Sequence, residues 1–522
     1  MHSVCRYLLA AVVCGFAFLS SLAQCPARPN TGTVVQNPLN VSSSNGVLNA
    51  GLTMQYSVDS SGYNHYCYLY QTSTGQVEAP TLRVNQGDVL NLSITDAITG
   101  DPDQSQKMNM PSSNVVCGSG GTATLSSTNV HFHGMNVSPN CHSDDVLTTL
   151  IQPGSPAFPY HIQIPSDEPP GLYWYHPHVH GFTEFQVNGG AAGALIVEGM
   201  DKVRPEVAGL TERVFVIRQQ FLVPWVPGPY QLTINYEPAI YPLEANPIIQ
   251  MNPGEKQFWR VANATLQDFM PLQVLVNGQP EQLELIAVDG YPLAQPRLET
   301  TILVPPAGRA EFIVTAPAEG QDGKFRTQAY STGPTGNPDT LQELAAIQVT
   351  GNKPEQKTSP RTGAPGISLD HLKFSDLARQ TATTQRKLYF SEEFGGTNGP
   401  IQFYITVDGQ PQKVFDPNEK PAITTKVGAV EDWTIENRAL ETHDFHIHQI
   451  HFMMLEVDGK PVTNDMRDSV EIPYWDGPGH PYHSVKVRMD FRDPTIAGTF
   501  VYHCHILLHE DLGMMHKIQV EP

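Results

Sequence analysis

PTLRVNQGDVLNLSITD, Pro80–Asp96, returns twice in altered form, as PIIQMNPGEKQFWRVAN from Pro247 and PAITTKVGAVEDWTIEN from Pro421. In each copy a glycine (Gly87, Gly254, Gly428) follows seven positions after the proline, and a closing Asp or Asn (Asp96, Asn263, Asn437) nine positions after the glycine. Side chains alternate at Leu92 and Ile94, at Trp259 and Val261, and at Trp433 and Ile435, the period-two pattern of a half-buried strand. Each copy therefore reads as strand, glycine turn, strand. The copies start 167 and 174 residues apart, the length of one domain.

The remaining chain agrees with an all-β reading. With 44 Pro and 42 Gly among 522 residues, long helices have little uninterrupted room. Short apolar runs such as GALIVEG and AEFIVTA are bounded by turn residues instead. We expect three β-sandwich or barrel domains over 45–200, 201–352 and 370–522. The polar, Pro- and Gly-rich segment around GNKPEQKTSPRTGAPG makes 353–369 a linker.

Formal net charge is −21, which argues against nucleic acid or an anionic membrane surface as partner. The opening MHSVCRYLLAAVVCGFAFLSSLAQ has one basic residue, Arg6, then an apolar run and small residues, the layout of a secretory signal over 1–24. The run is short for a bilayer span and no second one follows, so a secreted or periplasmic protein is expected, without a membrane span and acting as a monomer. Gln24–Cys25 is a weak lipoprotein cleavage signal. Of seven cysteines, Cys5 and Cys14 lie in the leader. Cys117 and Cys141 are the expected disulfide, the pairing of Cys25 and Cys67 stays open, and Cys504 is left over.

Twelve of twenty histidines crowd into HFHG at 131, HPHVH at 176, HDFHIHQIH at 443 and HCHILLH at 503. Each cluster holds a His-x-His step: His131/His133, His176/His178, His446/His448 and His503/His505. Residues two apart on a strand face the same side, so each step aims two imidazoles in one direction. One such step alone is a common chance occurrence. Four steps supply eight nitrogens, two from the first repeat and two from the third, which suggests a polynuclear metal site between those domains with the middle one as clamp. A closed zinc site uses four ligands and does not explain eight. Cys504 faces away from His503 and His505 and must serve a second site. Its candidate companions are His443, His509 and the thioether of Met514, the ligand set of a blue copper electron-transfer centre. His180, His451 and His516 fall outside this arithmetic and are read as supporting or surface residues, and Met453, Met454 and Met515 as core.

HFHG, WYHPHVHG, HDFHIH and HCHILLHEDLGMM together resemble the three-domain multicopper oxidases, the family of laccases, bilirubin oxidases and bacterial cuprous oxidases. The resemblance implies three consecutive cupredoxin-like Greek-key β-barrel domains holding four copper ions. His443, Cys504, His509 and Met514 would hold the type 1 copper, and His131 and His446 the type 2 copper. His133, His176, His178, His448, His503 and His505 would hold the type 3 pair, where dioxygen is reduced to water. Glu510 matches the place of a proton-relay glutamate in bacterial members. A second carboxylate usually lies in an Asp-Gly segment after the first His-x-His motif. Here that segment reads NCHSDDVLTTLIQPG, without the Asp-Gly, and counting back from Pro153 favours Asp144 over Asp145.

The electron donor is less legible. Cuprous oxidases of this family often carry a methionine-rich insert, because thioethers capture Cu(I). This chain has 14 Met and no such run, which favours a phenol or aromatic amine oxidised at the edge of His443 or His509. A cuprous-ion oxidase for copper tolerance is the rival reading. A non-enzymatic assembly protein would have lost ligands, whereas all twelve are present.

Overall fold

The computed structural model describes residues 24–522 apart from 61, 101, 103–107, 110–116, 221–230, 243, 352–367 and 396–400. The expected leader, save Gln24, and nearly all of the expected linker lie outside the described residues.

The three repeats fold alike, but their glycine turn does not make a hairpin. Gly87, Gly254 and Gly428 have φ of 79°, 68° and 99°, left-handed values that glycine adopts without strain. Each turn carries the chain from one sheet to the sheet facing it. Thr81–Val84, Ile248–Met251 and Ile423–Lys426 each run parallel to the last strand of their own unit, Gly193–Val197, Gln342–Val349 and Met515–Glu521. Val89–Asp96, Lys256–Ala264 and Ala429–Asn437 instead run parallel to an early strand in the opposite sheet, Val47–Val58, Thr211–Gln220 and Thr384–Phe394. The motif is thus the corner that closes two sheets over one core.

Those cores are filled from the repeat. Leu92, Trp259 and Trp433 occupy the same offset and are buried at the centre of three separate apolar clusters. The two indole N–H groups donate to the residue two positions back, Trp259 to Gln257 Oε1 (3.0 Å) and Trp433 to Glu431 Oε2 (2.8 Å). Trp433→Ala should cost about 3–5 kcal/mol through the cavity it leaves. Hydrogen exchange would report it as earlier loss of protection in Ala429–Asn437, with Val89–Asp96 unchanged.

The units meet through small side chains. Ala192, Ala194, Ala262, Ala264 and Ala307 pack with Leu172, Trp174 and Val216 between the first and second units, which lets the sheets approach closely. Disulfides join Cys25 to Cys67 and Cys117 to Cys141, so the thiol of Cys25 is engaged within the fold. Helices are few and short, and among the described residues none is long and apolar enough to cross a membrane.

Candidate metal centres

Two strand pairs carry the histidines. His131–His133 runs antiparallel to Gly171–His176 with His131 opposite His176. His443–Ile447 runs antiparallel to Gly498–Cys504 with His446 opposite His503. The two pairs face each other across the junction of the first and third units. His131 stacks on His448 with ring centroids 3.8 Å apart, and His133 on His446 at 4.0 Å. His503 Nε2 lies 3.4 Å from His178 Nε2 and 3.2 Å from His448 Nε2, and the His505 ring lies 5.0 Å from that of His133. All eight paired histidines are buried in one nest.

Most of these rings are held by one nitrogen, leaving the other bare. His176, His446 and His503 donate from Nδ1 to the carbonyls of Pro177 (2.8 Å), Asp468 (2.6 Å) and Cys504 (2.9 Å), and His131 Nδ1 lies 3.0 Å from both Asp144 oxygens. Such outer bonds fix the tautomer, so the inner nitrogen presents a lone pair. Nε2 of His131, His176 and His446, Nδ1 of His133 and His448, and both nitrogens of His505 are buried without a hydrogen-bond partner. Burial, with neighbouring imidazoles adding to it for most rings, holds all eight below the ordinary histidine range, His176 to about 3 and His503 to about 4. Neutral rings with converging, unpaired lone pairs are costly unless cations fill the space between them. Three all-histidine trios in the nest have donor atoms close enough for one ion: His131, His446 and His448; His131, His133 and His176; and His178, His448 and His503; a fourth joins His133 and His446 with Asp468.

Cys504 faces the other way, into the core of the third unit. Its Sγ lies 3.6 Å from His443 Nδ1 and 3.9 Å from His509 Nδ1, and those nitrogens are 3.3 Å apart. Three ligands about 2.0–2.3 Å from a common ion would show separations of this size. Met514 is buried beside them, its N–H donating to His509 O (2.8 Å) and its carbonyl accepting from Cys504 N–H (3.0 Å). Burial pushes the Cys504 thiol well up, so a thiolate there requires a cation. Two imidazoles, one sulfur and a nearby methionine suit copper.

Both sequence-predicted carboxylates reach the nest. Asp144 accepts from Phe132 N–H (2.9 Å) and Gln449 Nε2 (2.5 Å) in addition to His131, and burial raises it to about 8. Asp145 turns away and accepts from Leu147 N–H (3.1 Å) and Thr148 N–H (2.9 Å). Glu510, on the short helix Leu507–Asp511, lies 3.5 Å from His178 Nε2 and 3.4 Å from His503 Nδ1 and accepts from Thr183 Oγ1 (3.1 Å). Burial, then Asp511, pushes it well above the carboxylate range. Asp511 itself accepts from Gly181, Thr183 and Glu184 N–H (2.8, 3.2 and 2.8 Å), pinning this helix to the first unit.

The structure adds residues that spacing did not reveal. Asp468 lies 3.2 Å from His133 Nε2. On the outer side of the cysteine centre, Glu392 approaches His443 Nε2 at 3.2 Å, Glu441 approaches His509 Nε2 at 3.6 Å, and Phe403 stacks on His509 at 4.1 Å. A carboxylate two residues before His443 was visible as LETH, although nothing local tied it to His509. His451 is fully buried, whereas His180 packs edge-on to Phe415 and His516 near Tyr502.

Three multicopper oxidase family models match residues 123–202, 216–352 and 394–522. The chain belongs to the multicopper oxidase family. As a multicopper oxidase it is a copper-dependent oxidoreductase with dioxygen as acceptor. Curated relatives include a multicopper oxidase of Staphylococcus haemolyticus, 25% identical over 409 residues covering 75% of this chain and 76% of the relative. A Bacillus subtilis laccase is 24% identical over 399 residues, 69% of this chain and 72% of the relative. Among solved structures, a Campylobacter jejuni multicopper oxidase described as a metallo-oxidase superposes with TM-score 0.68 at 23% identity, covering 95% of this chain and 96% of the other. The neighbours share the fold of three cupredoxin-like domains.

Proposed function

We propose that this multicopper oxidase is an exported, laccase-like enzyme that oxidises phenols or aromatic amines one electron at a time and reduces dioxygen to water with four coppers. His443, Cys504, His509 and Met514 would hold the type 1 copper, His131 and His446 the type 2 copper, and His133, His176, His178, His448, His503 and His505 the type 3 pair. Copper bound in these two places supplies one-electron redox chemistry at the first and oxygen reduction at the second. The observation that carries the reading is the opposite facing of Cys504 and its two neighbours. One strand end touches both centres, so the backbone of His503, Cys504 and His505 is a short covalent path for electrons.

The chain's own residues account for donor entry and proton supply. A phenol or aromatic amine loses a proton when it loses an electron, and Glu392, at the outer nitrogen of His443, is placed to accept it, while Glu441 stands at the outer nitrogen of His509. The Glu441 carboxyl is pushed to about 8 by burial and by Glu392 beside it. Leu508 and Leu512, exposed on either side of His509 in the chain, offer apolar surface for an aromatic ring. At the nest, Asp144 holds the His131 ring in register, and Glu510 holds a proton within reach of the space between His178 and His503. The second reading is oxidation of Cu(I), for which the outer glutamates attract a cation by charge to the same edge but do not supply the soft thioethers that Cu(I) prefers.

Oxygen uptake with a phenol and with Cu(I), measured side by side on copper-reconstituted protein, tests the reading. Phenol turnover without added copper is expected. Rapid Cu(I) oxidation with phenol turnover only in excess copper would transfer the assignment to the metal-ion reading.

A further inference from the structure

The second unit, which offers no candidate ligand, approaches the histidine nest through a buried arginine backed by Asp289. Arg309 begins the strand Arg309–Thr315 of that unit and is fully buried. Nη1 donates to Asp468 Oδ1 (2.6 Å) and Ala307 O (3.1 Å). Nη2 donates to Asp468 Oδ2 and to Asp289 O (2.8 Å), and Nε donates to Leu172 O (3.2 Å). Five N–H groups thus find five acceptors drawn from all three units, with a two-toothed grip on Asp468 at the centre.

Asp468 in turn governs two rings. Its carboxylate accepts from His133 Nε2 (3.2 Å), and its backbone carbonyl accepts from His446 Nδ1 (2.6 Å). These are opposite nitrogens of the two imidazoles, and in both rings the nitrogen left over is the buried, unpartnered one. The stacked pair His133 and His446 is therefore set in complementary tautomers by one residue. His451, which the spacing of histidines did not place, backs the same network, its Nε2 donating to Asp289 O at 2.7 Å.

The glycine of HFHG supports this independently. Gly134 has φ of +84°, and a Cβ built there would sit 2.5 Å from both Arg309 Nη2 and Asp468 Oδ2. The Arg309–Asp468 pair passes directly against the strand end that carries His131 and His133, through space only glycine leaves open.

We infer that Arg309 is a positioning residue for the oxygen-reducing nest: it locks Asp468 so that His133 and His446, from different units, turn the correct nitrogens toward metal. The inference rests on the assignment of those histidines to the copper nest. It gives the second unit, which holds no candidate ligand, a stated part in building the site.

Arg309→Lys is the discriminating variant, because it keeps a cation beside Asp468 but cannot grip both oxygens. Copper per chain, the blue absorption of the Cys504 centre, melting temperature and oxygen uptake would be measured on parent and variant. We expect copper content to fall by at least one ion per chain and oxygen uptake by about 10–100-fold, the range for losing a partner of a metal ligand, with blue absorption per chain unchanged. Arg309→Met, which leaves Asp468 unpaired, should show the same pattern more strongly. A variant that melts lower yet keeps its copper and its oxygen uptake would reduce Arg309 to a strut and overturn the inference. Loss of the blue band alongside the rest would also overturn it, since the effect would not be confined to the nest. If the parent itself binds only the blue copper, the nest assignment fails first, and the inference with it.

Discussion

Cys504→Ser is expected to abolish the blue absorption and lower donor oxidation by more than about a hundredfold, beyond the usual loss for a supporting partner of a ligand, while leaving copper in the histidine nest. The reason is directional. Sγ lies 3.6 Å from His443 Nδ1 on the core side of its strand, and the rings of His503 and His505, 5.4 Å apart, lie together in the nest. A serine hydroxyl stays protonated at neutral pH and is a hard donor, so the soft anionic ligand is lost without disturbing the neighbouring rings. The buried hydroxyl would add a stability cost of about 1–3 kcal/mol if it found no partner, too little to unfold a core of this size. Metal analysis checks the claim: one copper fewer per chain, with the remainder retained. A serine variant that stays blue, or that loses every copper, would contradict the placement of two centres on opposite faces of one strand.

What made this much readable in advance was periodicity. His131/His133 and His503/Cys504/His505 could be assigned to faces because a strand repeats every two residues, and the three Pro-to-Gly motifs kept their offsets because each builds the same corner. Periodicity says which way a side chain faces, not what faces it. Asp468 lies 335 residues from His133, and Arg309 opens an ordinary apolar strand, GRAEFIV, so no local signal joined them. The repeat likewise concealed that its strands belong to opposite sheets, since a glycine at positive φ serves a corner as well as a hairpin. Glu392 became visible only when Thr384–Phe394 and His443–Ile447 were brought into one unit, and Glu441, although two residues before His443 in the sequence, gave no sign there that it faces His509. Counting back from Pro153 favoured Asp144 over Asp145, and the geometry shows why the two differ: adjacent acids on the chain point apart, Asp144 to His131 and Asp145 to the Leu147 and Thr148 amides.

Glu510→Gln should lower oxygen uptake by about 10²–10⁴-fold, the range for losing a positioned acid, while donor reduction of the blue centre in the absence of oxygen proceeds at the parent rate. Glutamine has the same shape and can still accept from Thr183 Oγ1, which reaches Glu510 Oε1 at 3.1 Å in the parent, so the nest keeps its copper. It cannot deliver and regain a proton. Burial raises the Glu510 carboxyl, so the acid form that serves oxygen reduction is present at neutral pH and is lost as pH rises through the raised value. Parent activity should therefore decline on the alkaline side, and the weak residual activity of the variant should lack that decline. Stability should move the other way. With its pKa higher in the folded chain, Glu510 keeps its proton where the unfolded chain has released it, so its stability contribution falls as pH climbs above the ordinary carboxylate value. Glutamine is free of that loss, and the variant should melt at the same temperature as the parent at low pH and at a higher one at neutral pH. Lower turnover joined to higher stability is what a group retained for chemistry produces. Unchanged oxygen uptake with lowered stability would make Glu510 a packing residue.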